Sequence, residues 1–172
     1  ANFTLVAAMN PCPCGNLGSR TQQCRCTPAE IRRYLGRISG PLLDRIDMHI
    51  EVESIPAEQL ADTAESESSA SIRARVSAAR EIQRKRYERD RGKIRCNAQL
   101  DARTLARACV MTDEARALLL LSSDRMKLSN RAYTRILKVA RTIADLAGAE
   151  EIAAEHISEA VQYRTLDRKY WN

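Results

Sequence analysis

The chain has 172 residues, with 28 basic and 22 acidic side chains and a formal net charge of +6. This length allows one or two small domains with a real core, and an aromatic content of 4% makes that core mostly aliphatic. The charge is compatible with a polyanionic partner but does not require one. Because the chain has no apolar stretch of roughly 18 to 20 residues and no signal-peptide pattern, we expect a soluble, cytoplasmic protein without a membrane partner.

The first predicted element is a buried strand. Residues 3–9, FTLVAAM, form a continuous apolar run, which is typical of a parallel strand covered on both faces. The other strand candidate is Met48 to Val52, in the alternating segment DMHIEV. Because two strands do not make such a sheet, we expect the chain to be a piece of a larger protein whose preceding part holds the other strands.

Four cysteines follow the first predicted strand, as two Cys-x-Cys pairs separated by nine residues. Four thiolates match the tetrahedral ligand set of structural zinc, and a loop without a core of its own benefits from such a clip. The Cys-x-Cys spacing is unusual for zinc, although two prolines and Gly15 can supply the required turn. Redox or disulfide chemistry and unligated thiols are the alternatives, and in a reducing compartment metal binding is favoured over disulfides. The predicted zinc ligands are Cys12, Cys14, Cys24 and Cys26.

Two short helical elements are predicted after the cysteines. Thr27-Pro28-Ala29-Glu30 combines an N-cap threonine, proline at the first helical position and glutamate at the third, which predicts a helix to about Arg37. Gly40-Pro41 ends that helix, and a short helical turn follows from Leu42 to Arg45.

A change of composition marks the predicted domain boundary. Residues 51–70 hold six acidic and no basic side chains, together with several serines. This composition is typical of a mobile connector. The predicted organisation is a first unit over 1–53, an acidic linker over 54–70 and a helical domain over 71–172.

The helical domain is predicted as a bundle of about 100 residues, a usual domain size. A strongly amphipathic helix ends at Leu146, with Gly148 as its C-cap, and carries a wide apolar face. The first helix has apolar residues three or four positions apart, from Ile72 to Ile82. The predicted helices are 72–91, 101–109, 112–123, 129–146 and 155–166.

Three single polar residues are candidates for a phosphate-handling site. Asn10 directly follows the predicted strand, at the end where open α/β sheets place ligands, although it also suits a simple turn before proline. Arg45 lies at the end of a short helical turn and could project outward, or could form an ordinary salt bridge. Arg131 lies in the first turn of a helix, where the dipole disfavours a cation, so solvent exposure or a bound anion must compensate.

The remaining polar and sulfur-containing residues give weaker signals. Residues 73–95 contain ten basic and three acidic side chains, which fits either a phosphate-binding face or a solvated helix with internal ion pairs. Cys96 and Cys109 are expected as small buried hydrophobic residues. No metal is assigned to His49, or to His156, which is expected as a capping or surface residue.

Three segments together resemble a known family: LVAAMNPCPCG, CRCTPAEIRRYLGRISGPLLDRIDMHIEV and LSNRAYTRILKVARTIADLAG. They are similar to the Mg-chelatase-like AAA+ ATPases, and most closely to the branch associated with bacterial competence. The resemblance implies an α+β, mostly α, chain. It would begin at the fourth strand of an AAA+ α/β core and continue into a helical lid, with the Walker A and Walker B segments upstream.

The resemblance also implies roles for the single polar residues. Asn10 matches sensor 1, Arg45 in LLDRID matches an arginine finger acting in trans, and Arg131 in SNRAYTRIL matches sensor 2. Arg135, one turn further on, is a rival for the sensor 2 role. ATP and Mg²⁺ would be the cofactors of the whole protein. This chain alone should not hydrolyse ATP, because it has no phosphate-cradling glycine-rich loop with Lys-Ser/Thr.

The cysteines refine what the resemblance implies. The four-cysteine loop is a feature of the competence branch and not of the chelatase proper. This implies a hexameric ATP-driven DNA helicase or branch-migration motor used in natural transformation and recombination. The loop could present Arg20 and Arg25 to the pore or to a partner. The alternatives are an ATPase subunit of a magnesium-chelatase-type metal insertion complex and an independent zinc-bearing nucleic-acid-binding module.

Overall fold

The structure, a computed structural model, describes residues 3–52, 66–90 and 92–164, and this part of the chain is mostly helical. Two short 3₁₀ segments, Glu88–Asp90 and Asn97–Gln99, connect helices of the second half. The α-helices of the described residues are α1 Pro28–Leu35, α2 Gly40–Leu43, α3 Ser69–Arg86, α4 Ala102–Ala108, α5 Asp113–Met126, α6 Asn130–Leu146 and α7 Ala154–Gln162. None of these helices is long and apolar enough to cross a membrane.

The first predicted strand is wrong for this structure. Residues 3–10 have no regular secondary structure, and their large apolar side chains lie in solvent, with Phe3 79% and Val6 90% exposed. A strand needs a neighbour for its backbone hydrogen bonds. Among the described residues nothing pairs with this segment, so the apolar run stays uncovered.

The second predicted strand, Met48 to Val52, is also wrong. Ile50 is 65% exposed, and the segment pairs with no strand among the described residues. The His49 N–H donates to the carbonyl oxygen of Tyr163 over 2.8 Å. The segment therefore packs against the end of α7 instead of joining a sheet.

Helix α1 begins as its sequence predicts. The Glu30 carboxylate accepts from the Thr27 N–H over 2.8 Å, and the Thr27 hydroxyl accepts from the Glu30 N–H over 3.3 Å. This reciprocal pair confirms the predicted capping box. The helix ends at Leu35, two residues before the predicted Arg37, and Gly40-Pro41 opens α2.

Helices α3 to α7 pack around an aliphatic core, with α6 at its centre. The α6 face is confirmed at Ile136 and Leu137, which are buried, whereas Leu146 is 42% exposed. A parallel bridge between Met111 and Ile152 ties the start of α5 to the loop before α7. The fully buried aliphatic side chains of this core include Leu119, Ile136, Ile152 and Ile157.

Helix α3 contributes only its second half to the core. Ile72 and Val76 are 43% and 46% exposed, whereas Ala79 is buried. The predicted apolar face therefore fails over the first two turns, because no described residue covers them. The helix also begins earlier and ends earlier than predicted, at Ser69 and Arg86.

The ends of two further helices differ from the predictions. Helix α5 continues to Met126, three residues past the predicted end, and stops where Lys127 adopts a left-handed conformation (φ 48°). Helix α7 ends at Gln162, and the predicted end at Leu166 lies outside the described residues. Most of the predicted linker, 53–65, also lies outside them.

The C-terminus of α6 has the predicted glycine cap. Gly148 has φ 71°, its N–H donates to Asp145, and the Ala149 N–H donates to Ala144 over 2.8 Å. This pair of bonds is the Schellman arrangement, which satisfies the last carbonyl groups of a helix.

A buried ionic network holds α6 to α3 and to the loop after α6. The Asp145 carboxylate accepts from Arg141 Nε over 3.1 Å and from Arg86 Nη2 over 2.5 Å. Asn97 Nδ2 donates to the same carboxylate over 2.8 Å. Arg141, which is fully buried, also donates to two carbonyl groups, those of Ala149 and Glu150. Because each charge is paired and hydrogen-bonded, the network is tolerated inside the core.

Cys96 and Cys109 lie outside the cysteine cluster, and His156 caps a helix. Cys109 is buried, as expected, and burial raises its pKa to about 11. Cys96 is only partly buried. His156 is buried rather than at the surface, and its Nδ1 accepts from the Ala153 N–H over 2.9 Å, which makes it a cap of α7.

Candidate functional site

The four clustered cysteines converge on one point. The Sγ atoms of Cys12 and Cys14 lie 3.4 Å apart, and Cys24 Sγ lies 3.7 Å and 3.6 Å from them. All four Sγ atoms, including that of Cys26, lie within 4.8 Å of one another. Zn–S bonds of about 2.3 Å in tetrahedral geometry separate sulfur atoms by about 3.8 Å, so this arrangement could bind a metal ion of that kind.

Backbone turns bring the two cysteine pairs together. Gly15 has φ 81°, a conformation that favours glycine, and its N–H donates to the Cys12 carbonyl over 3.0 Å. Cys26 is followed at once by Thr27, the N-cap of α1, so the second pair is anchored to a helix. All six cysteines of the chain are outside disulfide bonds.

The protonation of the cluster is uneven. The backbone N–H groups of Arg25 and Asn16 lower the pKa of the Cys14 thiol to about 6. Desolvation raises the pKa of Cys26 to about 12. Several thiolates at these separations repel one another, and a cation between them would relieve that repulsion. The donor set therefore fits a thiolate-preferring metal such as zinc.

Asn10 lies beside the cysteine loop. A methyl group in place of the Gly15 hydrogen would sit 3.7 Å from Asn10 Cγ, so the carboxamide and this turn are in close contact. Asn10 is exposed, and no hydrogen bond or ion pair among the described residues joins it to Arg45 or Arg131.

Arg45 is exposed on the surface directly after α2. Its Nη1 donates to the Pro41 carbonyl oxygen over 2.6 Å, so its guanidinium lies back along its own helix. No ion pair among the described residues holds it. Four further donors of the guanidinium are thus available to an incoming anion.

Arg131 and Arg135 lie one turn apart on α6 but have different surroundings. Arg131 is exposed, and its side chain makes no hydrogen bond or ion pair with another described residue. Arg135 Nε donates to the carbonyl oxygen of Asp44 over 3.0 Å, and its Nη1 forms an ion pair with Asp47. Arg135 is therefore engaged within the chain, whereas Arg131 has no such contact with another described residue.

These contacts belong to a set that we call the α2–α6 junction, which consists of Asp44, Asp47, Ser129, Arg135 and Arg164. Ser129, the N-cap of α6, donates through Oγ to Asp44 Oδ2 over 2.9 Å. Arg164 is fully buried, and its Nη1 donates to the Ile46 carbonyl oxygen over 2.5 Å. No local pattern in the sequence predicts this junction, and the resemblance gives Arg135 only as a possible nucleotide ligand.

The basic stretch around α3 is partly neutralised within the chain. Arg75 pairs with Glu67 at 2.5 Å, and Arg84 pairs with Glu81 at 2.6 Å. These contacts favour the self-paired interpretation for Arg75 and Arg84. Arg73 and Arg80 are exposed, and their side chains make no ion pair with another described residue.

Comparison with known families identifies the class of protein. The family model described as magnesium chelatase, subunit ChlI C-terminal, matches residues 66–164, and the model described as magnesium chelatase, subunit ChlI, matches residues 1–60. The first match covers more than half of the chain, so the chain belongs to the magnesium chelatase subunit ChlI family.

Several curated proteins are similar over almost the whole chain. Competence protein ComM of Haemophilus influenzae is 44% identical over 169 residues, which is 98% of this chain. Proteins named YifB from Escherichia coli and Salmonella typhimurium are 43% and 42% identical over the same length. The chain spans about a third, 32%, of the length of each of these relatives.

Proposed function

We propose that this chain is the C-terminal portion of a hexameric AAA+ ATPase that resembles ComM and moves on DNA as a helicase or branch-migration motor. Such a motor would act in natural transformation and recombination. The observation that carries the proposal is the 44% identity to a competence protein over 98% of the chain, through both the cysteine loop and α6. In this proposal residues 1–53 end the AAA+ core, 54–70 form the linker and 71–172 form the lid.

The three candidate residues Asn10, Arg45 and Arg131 have different roles in this proposal. Asn10 acts as sensor 1 and orients the attacking water. Arg131 acts as sensor 2 and binds the phosphates of the nucleotide on its own subunit, with Mg²⁺ as the other cation. Arg45 acts as the finger for the neighbouring subunit, where a cation supplied in trans is worth about 10³ to 10⁵ in rate in other NTPases. The exposure of Arg45 and Arg131 supports these parts, because each has donors available to a phosphate.

We further propose that Cys12, Cys14, Cys24 and Cys26 hold a structural zinc ion. The convergence of the four Sγ atoms within 4.8 Å supports this, and the ion would clip a loop that has little core of its own. Arg20 and Arg25 are exposed on this loop and are candidate contacts for DNA phosphates.

The alternative is an ATPase subunit of a magnesium-chelatase-type metal insertion complex. The descriptions of the two matching family models favour it. The four-cysteine loop favours the DNA motor, because the resemblance associates that loop with the competence branch.

ATP turnover by the full-length protein, with and without forked DNA, tests the proposal. We expect the fork to stimulate turnover several-fold, and heparin, an unstructured polyanion, to stimulate it less. Basal turnover that DNA leaves unchanged would favour the metal insertion complex. The isolated chain should show only background turnover. Turnover above background that is lost in Arg45→Ala would contradict the proposal that the nucleotide-binding Walker segments lie outside this chain.

A further inference from the structure

We propose that Asp44, Arg135 and Arg164 are positioning residues for Arg45, and that the α2–α6 junction links the nucleotide on one subunit to the finger that the same subunit offers its neighbour. This inference rests on the proposed function, since it needs Arg45 to act in trans. It assigns to Arg135 a role different from the nucleotide contact that its sequence position suggests.

Helix α2 needs external support to hold Arg45 in place. It has only four residues, Gly40–Leu43, and a helix this short is not stable by its own hydrogen bonds. Arg45 lies two residues beyond its end and is exposed. The position of Arg45 is therefore determined by what its neighbours contact.

Asp44, the residue before Arg45, is held from three directions. Its backbone carbonyl accepts from Arg135 Nε over 3.0 Å, and its Oδ2 accepts from the Ser129 hydroxyl over 2.9 Å. Its Oδ1 lies 3.6 Å from Arg164 Nη2. Hydrogen bonds that involve a charged group are about twice as strong as neutral ones, so these contacts can hold Asp44 in one position.

The residue after Arg45 is held as well. The Ile46 carbonyl accepts from Arg164 Nη1 over 2.5 Å, and the same nitrogen lies 3.4 Å from the Leu43 carbonyl oxygen. Arg164 is fully buried, so this guanidinium is a fixed part of the interior. Both neighbours of Arg45 are thus tied to the helical domain, while its own side chain faces solvent.

Helix α6 carries both ends of the proposed link. Arg131 and Arg135 lie four residues apart, so they share one face of α6. Arg131 is exposed and, in the proposed function, binds a phosphate, whereas Arg135 contacts Asp44 and Asp47. A shift of α6 on nucleotide binding would therefore move the segment that holds Arg45, and a misplacement of about 1 Å can cost about 10²-fold in rate.

Subunit mixing in the full-length protein separates the two possible roles of Arg135. A ring that combines Arg45→Ala and Arg131→Ala subunits should recover part of the ATP turnover, because an intact finger meets an intact site at some interfaces. A ring that combines Arg45→Ala and Arg135→Gln subunits should recover none, since both variants impair the finger. Recovery equal to that of the first mixture would overturn the inference, because Arg135 would then act on the nucleotide of its own subunit.

Steady-state kinetics of the single variants give a second test. Arg135→Gln should lower kcat about 10- to 100-fold and leave the Kd for ATP within about twofold. Asp47→Asn, a milder change at a half-exposed side chain, should shift kcat in the same direction. Arg116→Gln is the matched control, since Arg116 is exposed on α5 and its side chain has no partner among the described residues. An unchanged kcat for both junction variants, or a raised Kd with kcat intact, would contradict the inference.

The single variants also distinguish a failure of the finger assignment from a failure of the junction inference. If Arg45→Ala alone retains full turnover, the finger assignment fails, and the junction inference fails with it. If Arg45→Ala is inactive and Arg135→Gln is fully active, only the junction inference fails. Thermal unfolding of each variant shows whether a loss of kcat comes from unfolding.

Discussion

Arg164 donates a hydrogen bond of 2.5 Å to the carbonyl oxygen of Ile46, although 118 positions separate the two residues. The donor comes from the turn after α7, and the acceptor lies one residue past Arg45. Arg164 is fully buried, so the donor of this hydrogen bond is shielded from competing water. It therefore fixes the segment of the proposed finger to the end of the helical domain.

Arg45→Ala should abolish ATP hydrolysis by the full-length protein without weakening nucleotide binding. The reason is that a finger acts on the charge that develops during phosphoryl transfer, and its loss costs about 10³-fold or more in other NTPases. Measurement of kcat together with the Kd of a fluorescent ATP analogue checks this, with Arg116→Ala as the control. Retained hydrolysis would remove the finger assignment.

Cys12→Ser should lower the zinc content of the chain and leave its helical domain folded. Cys12 is fully buried in the cluster, and the loop that it clips lies outside the core of α3 to α7. Metal analysis of the purified protein, with thermal unfolding followed by circular dichroism, checks both parts. Cys96→Ser is the control, because Cys96 is not in the cluster. Loss of the main cooperative transition would show that the clip supports more than its loop.

Asp145→Asn should destabilise the helical domain by about 3 to 5 kcal/mol, because it leaves the buried Arg141 charge without its counter-charge. Urea unfolding of the isolated chain gives the change in the free energy of unfolding. Asp124→Asn, at an exposed position of α5, should change it by less than about 0.5 kcal/mol. A small effect of Asp145→Asn would mean that the network relaxes or admits water.

The cap of α1 should weaken in acid. The backbone N–H of Thr27, followed by its hydroxyl, lowers the pKa of Glu30 below its ordinary value of 4.5. A carboxylate with a lowered pKa in the folded state stabilises that state above the unfolded pKa, and this contribution disappears as the pH falls through the folded value. NMR titration of the Glu30 side chain and the Thr27 amide should show both moving together below pH 4.5, whereas an unshifted Glu30 would show that the capping box does not form in solution.

Local sequence signals predicted the elements whose causes are local. The capping box at Thr27 and the glycine cap at Gly148 each need only a few neighbouring residues, and both are confirmed. The wide apolar face of α6 was also predictable, because its helical period is visible along 17 residues. The clustering of the four cysteines follows from the turns between them.

Elements that depend on distant partners were not predictable. The apolar run at 3–9 has the composition of a buried strand, but a strand requires pairing that no described residue supplies. The resemblance predicts Arg135 as a possible phosphate ligand, but its contacts with Asp44 and Asp47 cross about 90 positions of the chain. Nothing adjacent to Arg164 in the sequence indicates that it is buried, since the carbonyl oxygens to which it donates, those of Leu43 and Ile46, lie in the first unit.

Strand separation on a forked DNA by the full-length protein tests the central claim most directly. The proposed motor should separate the strands with ATP, should fail with a non-hydrolysable analogue, and should lose activity with Arg45→Ala but not with Arg116→Ala. Absence of strand separation and branch migration by a wild-type protein that still hydrolyses ATP would contradict the DNA motor and favour the metal insertion complex.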